Sequence, residues 1–221
     1  MPLAYNFVSL SGMGWNLFLA FIPLVFAGFL FRAGRRPGIL WWLALVVFLL
    51  FLPNAAYVLT DVIQLVRRVR QQPYLPVWTI ALVLVPQYTA FMIAGFEAHV
   101  LSLSRLGAFL KSLGRDRWIV PAELALNFAV AVGLYLGRYR RFNSWDLVRD
   151  PLRLGTQAAE DFSTSPPWQV VIVAFGVVVT LYYLFKFLNF AVRSALDSPA
   201  AGRGDRDFLR RFVGRRSATL R

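Results

Sequence analysis

Cysteine is absent from this 221-residue chain, and histidine occurs once, at His99. Those two gaps exclude disulfides, thiol nucleophiles, Cys-ligated metals and His-rich metal centres. Charge is scarce too: 16% of residues are Asp, Glu, Lys or Arg, against about a quarter in a water-soluble domain. Acidic residues are the rarer sign, 11 against 24 Lys and Arg, for a formal charge of +13. There is no glycine-rich phosphate loop, His-Glu zinc pattern, nucleophile elbow or internal inverted repeat. The sequence therefore implies neither a cofactor nor a metal.

What fills the chain instead is apolar, 58% of residues. Five stretches approach or exceed the ~20 apolar residues that cross a hydrocarbon core: 15–31, 39–60, 76–100, 118–137 and 168–190. The expected fold class is all-α, a polytopic helical membrane bundle with about five transmembrane helices plus short interfacial helices. Residues 1–192 would form the transmembrane domain and 193–221 a basic cytoplasmic tail. Trp15, Trp41, Trp42, Trp78, Trp118 and Trp168 each open a span, and Trp145 follows one, as in interfacial aromatic belts. The first fourteen residues lack Lys and Arg, so the first run reads as a retained span rather than a signal peptide. The arginines lie between apolar runs rather than on an amphipathic platform, which argues against nucleic acid as a partner. Counted by connector, an N-outside arrangement places fifteen Lys and Arg inside and eight outside, favouring an external N-terminus and a cytoplasmic C-terminus. The tail, with eight arginines, would lie against anionic lipid headgroups.

Several polar residues are out of place in such a chain. Pro53 cannot donate to the carbonyl of Leu49, and its ring displaces that group; inside lipid a freed carbonyl needs another partner. Asn54 is adjacent and polar. After it come Thr60 and Asp61, then Val62, Ile63, Leu65, Val66 and Val69 at helical spacing opposite Arg67, Arg68 and Arg70. That pattern predicts a short interfacial helix capped by Thr60 or Asp61. A second concentration, Tyr135 to Asp146, holds Arg138, Arg140, Arg141, Asn143 and Asp146 where span four ends, and 143–167 reads as another surface-lying piece. Asp61 follows span two and Asp146 follows span four, so both emerge on one face. Asn54, Thr60, Asp61, Arg138, Arg141, Asn143 and Asp146 form the candidate polar site.

The opposite face has its own set: Glu97, His99, Glu123 and Lys186. An ion pair of Lys186 with Glu97 or Glu123 is one reading, and a proton relay through Glu97 and His99 the sharper one. Glu123, two residues after Pro121, suits a helix N-terminus. Ala125, Ala129, Gly133 and Gly137 recur every four residues, a seam that admits a neighbouring helix. Gln87 and Tyr88, after Pro86, read as interhelical hydrogen-bonding groups.

Three strings carry a resemblance: Trp15-Asn16-Leu17-Phe18-Leu19-Ala20 with Ile22-Pro23-Leu24; Phe51-Leu52-Pro53-Asn54 through Thr60-Asp61; and Tyr135-Leu136-Gly137-Arg138 through Asn143-Ser144-Trp145-Asp146. The chain resembles a family of multi-pass bacterial membrane proteins, domain-of-unknown-function family 1361. The family pattern more often has proline where Ala56 stands and histidine where Gln64 stands, which puts in doubt any role needing an imidazole beside Asp61. The resemblance implies a bacterial inner membrane and supplies no activity. The favoured reading is a non-enzymatic accessory or lipid-interacting factor, with membrane lipids as its partners. The alternatives are a membrane-embedded enzyme acting on a lipid or lipid-linked headgroup, with Asp61 or Asp146 as general base, and a small transporter or channel.

Overall fold

The computed structural model describes residues 3–32, 37–139, 156 and 168–197, with backbone alone over 3–12 and 138–139. Every regular element among the described residues is helical. Among the described residues five helices are long and apolar enough to cross a membrane, and a helix is the form in which a segment in lipid satisfies its backbone hydrogen bonds internally. The protein is an all-α, multi-pass membrane bundle.

Helix α1 spans Leu3–Leu30 and carries Pro23; α2 spans Ile39–Tyr57 and carries Pro53. The chain does not stop after α2. It tightens into a single 3₁₀ turn, Val58–Thr60, and continues as α3, Asp61–Gln71. The expected cap is therefore not made: Thr60 has helical dihedrals, and its Oγ1 donates back to the Tyr57 carbonyl at 2.6 Å. The chain stays helical from Pro53 through Gln71, so a cap at Thr60 has no orphan amides to satisfy.

A short turn, α4 (Val77–Thr79), leads through a widened turn over Ile80–Leu84 into α5, Val85–Ser112. In the widened turn the Val85 amide bonds the Ile80 carbonyl, five residues back. Pro86 follows at once, and such a bulge absorbs the clash and missing donor that proline brings to a helix. Helix α5 runs well past the expected limit at residue 100, so Arg105 and Lys111 are helical rather than connector residues. It ends where Gly114 turns to φ +67°, with Gly114 N–H bonding the Lys111 carbonyl and Arg115 N–H that of Leu110, the glycine-terminated helix end. A 3₁₀ turn, Asp116–Trp118, opens α6, Ile119–Tyr139; α7 is Trp168–Leu196.

Side-chain contacts give the directions. At one end Trp41 Nε1 donates to the Leu30 carbonyl at 3.1 Å and Phe31 packs edge-on to Phe48; at the other Asn16 meets Asp61. So α1 and α2 are antiparallel. Arg105 bonds the Leu24 carbonyl and Phe109 lies against Phe31, so α5 runs with α1. His99 pairs with Asn127, and Gly107 lies against Ile119, making α5 and α6 an antiparallel hairpin. By the same alternation α2 and α6 run in one direction, and they touch where Pro53 meets Gly133. Phe128 of α6 meets Phe175 of α7. A core of Ala20, Ala55 and Val58, with Met92 packed on it, sits beneath the start of α3.

Two close approaches explain glycines. A Cβ on Gly95 would stand 2.8 Å from Val58 Cγ2, and one on Gly133 would stand 2.7 Å from both Cβ and Cγ of Pro53. The expected small-residue seam is realised at Gly133 and not at Ala125 or Ala129, which are exposed; the buried residues of α6 are Glu123, Asn127, Val130, Ala131 and Leu134. Gly28 is a different case, because its Cβ would meet only the tip of Arg105, 2.7 Å away. A long flexible side chain yields cheaply, and alanine gains up to about 1 kcal/mol of helix propensity. Gly28→Ala should therefore leave the unfolding free energy unchanged or raise it by up to about 1 kcal/mol; a collapse of the fold would show that the Arg105–Leu24 bond is essential.

Contacts divide the chain into two compact units, Met1–Leu181 and Tyr182–Arg221. Within the second, Lys186 Nζ lies 5.5 Å from the ring centroid of Tyr182 and 5.7 Å from that of Tyr183, cation–π distances.

Candidate functional site

The end of α2 is held from several sides. Gly133 receives the Pro53 ring from α6, Gly95 receives Val58 from α5, and Ala20 of α1 completes the core beneath them. This packing buries Asp61, which is 1% exposed. Its Oδ1 accepts from Gln64 Nε2 at 2.8 Å and, at a longer 3.5 Å, from Asn16 Nδ2. The first bond is short and follows from spacing, since residues three apart share a helix face. The second links the first sequence string, Trp15-Asn16, to Asp61 of the second. Neither partner was among the candidate residues. Gln64 lies beside Asp61 and supplies it with an amide donor. Asn54 is half-buried one residue after Pro53.

Because α2 and α6 run the same way, Asp61 and the end of α6 at Tyr139 lie toward one face. Arg138 is described there as α6 backbone. Arg140, Arg141, Asn143 and Asp146, the surface-lying piece at 143–167 and the tail beyond Asp197 lie outside the described residues.

Removing the Asp61 side chain should separate a structural role from a chemical one. Asp61→Ala strands the donors of Gln64 and Asn16 in a buried site, which costs about 1–3 kcal/mol. Asp61→Asn keeps a carbonyl oxygen for Gln64 and should lose less. Thermal denaturation of the purified variants reads the difference; equal midpoints for Asp61→Ala and wild type would remove Asp61 from the packing account.

Toward the other face, α5 and α6 enclose a second polar set. His99, Asn127, Glu123 and Ser102 are all fully buried. His99 Nε2 lies 2.9 Å from Asn127 Oδ1, and Asn127 Nδ2 donates to the Glu123 carbonyl at 2.8 Å. The second bond fixes the amide orientation, so its oxygen faces the imidazole and Nε2 must carry a hydrogen. Ser102 Oγ donates back to the Ala98 carbonyl. The Glu123 side chain folds across to α5: a Cβ on Gly107 would stand 3.4 Å from its Oε1. It therefore packs between helices and is not displayed at the helix start, the role its place after Pro121 suggested.

The structure brings His99 and Glu123 into one interface, joined through Asn127, and treats the other two expected members differently. Glu97 is half-buried; two residues from His99 on the same helix, it projects about 200° away, so the pair does not form a direct relay. Lys186 belongs to the second unit and lies over Tyr182 and Tyr183. Asn127 was missed in the sequence, although its position one turn after Glu123 was the available signal. Tyr88 is buried and Gln87 half-buried. Among the described residues no group of three or more His, Cys, Asp and Glu could hold a metal ion.

No curated protein and no solved structure matches the chain. A family profile, described as a protein of unknown function (DUF1361), matches residues 15–181. That stretch begins at the Trp15 string, takes in the Pro53 to Asp61 segment and the α5–α6 pair, and reaches into α7. The chain belongs to the DUF1361 family.

Proposed function

We propose that this integral membrane protein is a non-enzymatic accessory or lipid-interacting factor of a bacterial inner membrane, whose polar site engages anionic headgroups at the face where α2 and α6 end. The observation that carries the reading is the surface of α3. Val62, Ile63 and Val66 are 45, 46 and 47% exposed, directly after the buried Asp61. Arg67 and Arg70 are exposed on this same side, not opposite it as the spacing suggested: Arg70 continues the Val62–Val66 row one turn on, and Arg67 borders Ile63. An amphipathic basic helix of this kind places its apolar strip in the acyl boundary and its guanidinium groups among phosphates. The Asp61 carboxylate, buried and accepting from Gln64 and Asn16, suits a fixed anchor for α3 better than a general base that meets substrate. The distribution of Lys and Arg supports an external N-terminus and a cytoplasmic tail.

The test uses nanodiscs of phosphatidylglycerol or phosphatidylcholine. The wild type should be more stable in the anionic lipid, and Arg67→Gln/Arg70→Gln should lose that advantage, about 1 kcal/mol per arginine. Equal stability of wild type in both lipids would rule out headgroup recognition at α3. Orientation is separately testable because the chain lacks cysteine. Tyr74→Cys should react with an impermeant thiol reagent from outside the cell, and Leu113→Cys only after the membrane is opened.

A further inference from the structure

Between the last turns of α1 and the first turns of α2 lies a cleft of about 360 Å³, within the ~300–1,000 Å³ of ligand-binding clefts. Val25, Phe26 and Phe29 wall it on one side and Leu43, Ala44 and Val47 on the other. Ala44, the smallest lining residue and 5% exposed, makes the floor where a larger side chain would fill the space. Val25 is 70% and Leu43 59% exposed, so the cleft opens sideways, toward the lipid that surrounds two membrane spans. Its end is pinned by the bond from Trp41 Nε1 to the Leu30 carbonyl. Arg32, exposed, follows Phe29 by three residues at that same end. This is the face opposite Asp61, so the cleft is independent of the α3 reading.

We propose that the cleft holds one acyl chain of an anionic phospholipid, with Arg32 receiving its phosphate. Hydrocarbon lining along the cleft and a permanent cation at one end reproduce the division of such a lipid into chain and headgroup. A helix of a second protein is about 10–12 Å across, too broad for this volume, whereas an acyl chain is a single file of methylenes.

The experiment reconstitutes the full chain with phosphatidylglycerol or phosphatidylcholine carrying a photoreactive diazirine in one acyl chain, and maps the labelled residues by peptide mass spectrometry. Label should concentrate on the cleft residues, with the anionic probe favoured about tenfold, the yield of one charge-assisted contact. Arg32→Gln should abolish that preference, and Ala44→Phe should remove the cleft label from both probes. Leu43→Trp, at the exposed rim, should give the same loss without disturbing the floor, and it decides the matter if Ala44→Phe does not fold. Label spread evenly over outward residues such as Leu82, Val173 and Val177 would mean annular lipid only and overturn the proposal. Equal labelling by the two probes would do the same.

Discussion

Gly133→Ala is expected to destabilise the purified protein by about 1–3 kcal/mol, the usual cost of forcing an extra methyl into a packed contact. The added carbon would stand 2.7 Å from two atoms of the Pro53 ring. That ring cannot rotate away, because its torsion is closed through the backbone. Relief requires α2 and α6 to separate, which would loosen the site at Asp61. Gly176→Ala is the control: it has nothing within 4 Å of its Cβ and should be neutral or stabilising by about 1 kcal/mol. Pro53→Gly, which removes both clashing atoms, should recover part of the loss in the double variant. Midpoints for Gly133→Ala and Gly176→Ala that coincide would mean the two helices are not in contact there.

Asn127→Leu should cost a similar amount, about 1–3 kcal/mol, because it withdraws the acceptor from the His99 N–H and the donor from the Glu123 carbonyl inside a buried interface. Adding His99→Leu should recover much of that loss, since replacing both partners by apolar groups of similar shape removes the unmet demand. Strictly additive losses would show that the two side chains do not interact. A second readout is unusually direct: one histidine in the chain gives one imidazole in a nitrogen NMR spectrum. Nε2 should be the hydrogen-bearing nitrogen in wild type, and Asn127→Leu should relax that preference.

Five spans could be read from the sequence because a bilayer imposes a length and a composition on each of them, and neither depends on what the helix touches. Rotation about the helix axis has no such signature. The Ala125, Ala129, Gly133, Gly137 stripe has the right spacing for a seam, yet the face that is buried is displaced from it toward Glu123, Asn127 and Leu134. The mistaken cap at Thr60 and Asp61 has a related cause: those residues favour helix starts, but with no break in the chain ahead of them they serve as a mid-helix tightening and a buried acceptor. His99 and Glu123 stood out because charge and imidazole are rare in lipid. Asn127, which joins them, did not, since an asparagine in a span ordinarily binds some neighbour and only coordinates say which one. Asn16 likewise lay in a noted string without a role until α1 and α2 were seen to be antiparallel.

The two uninterrupted helical stretches, Ile39–Gln71 and Val77–Ser112, contain 33 and 36 residues, which is about 50 and 54 Å at 1.5 Å per residue. A hydrocarbon layer is only about 30 Å deep. Val77, Trp78 and Leu82 are widely exposed at one end of the longer stretch, so that end cannot simply stand in water. The stretches lean or run past the hydrocarbon at their Arg- and Lys-bearing ends, α3 among them, and any lean ties the molecule to bilayer thickness. Short-chain lipids should steepen the lean and long-chain lipids straighten it, carrying the paired ends of α2 and α3 along as the membrane thins or swells.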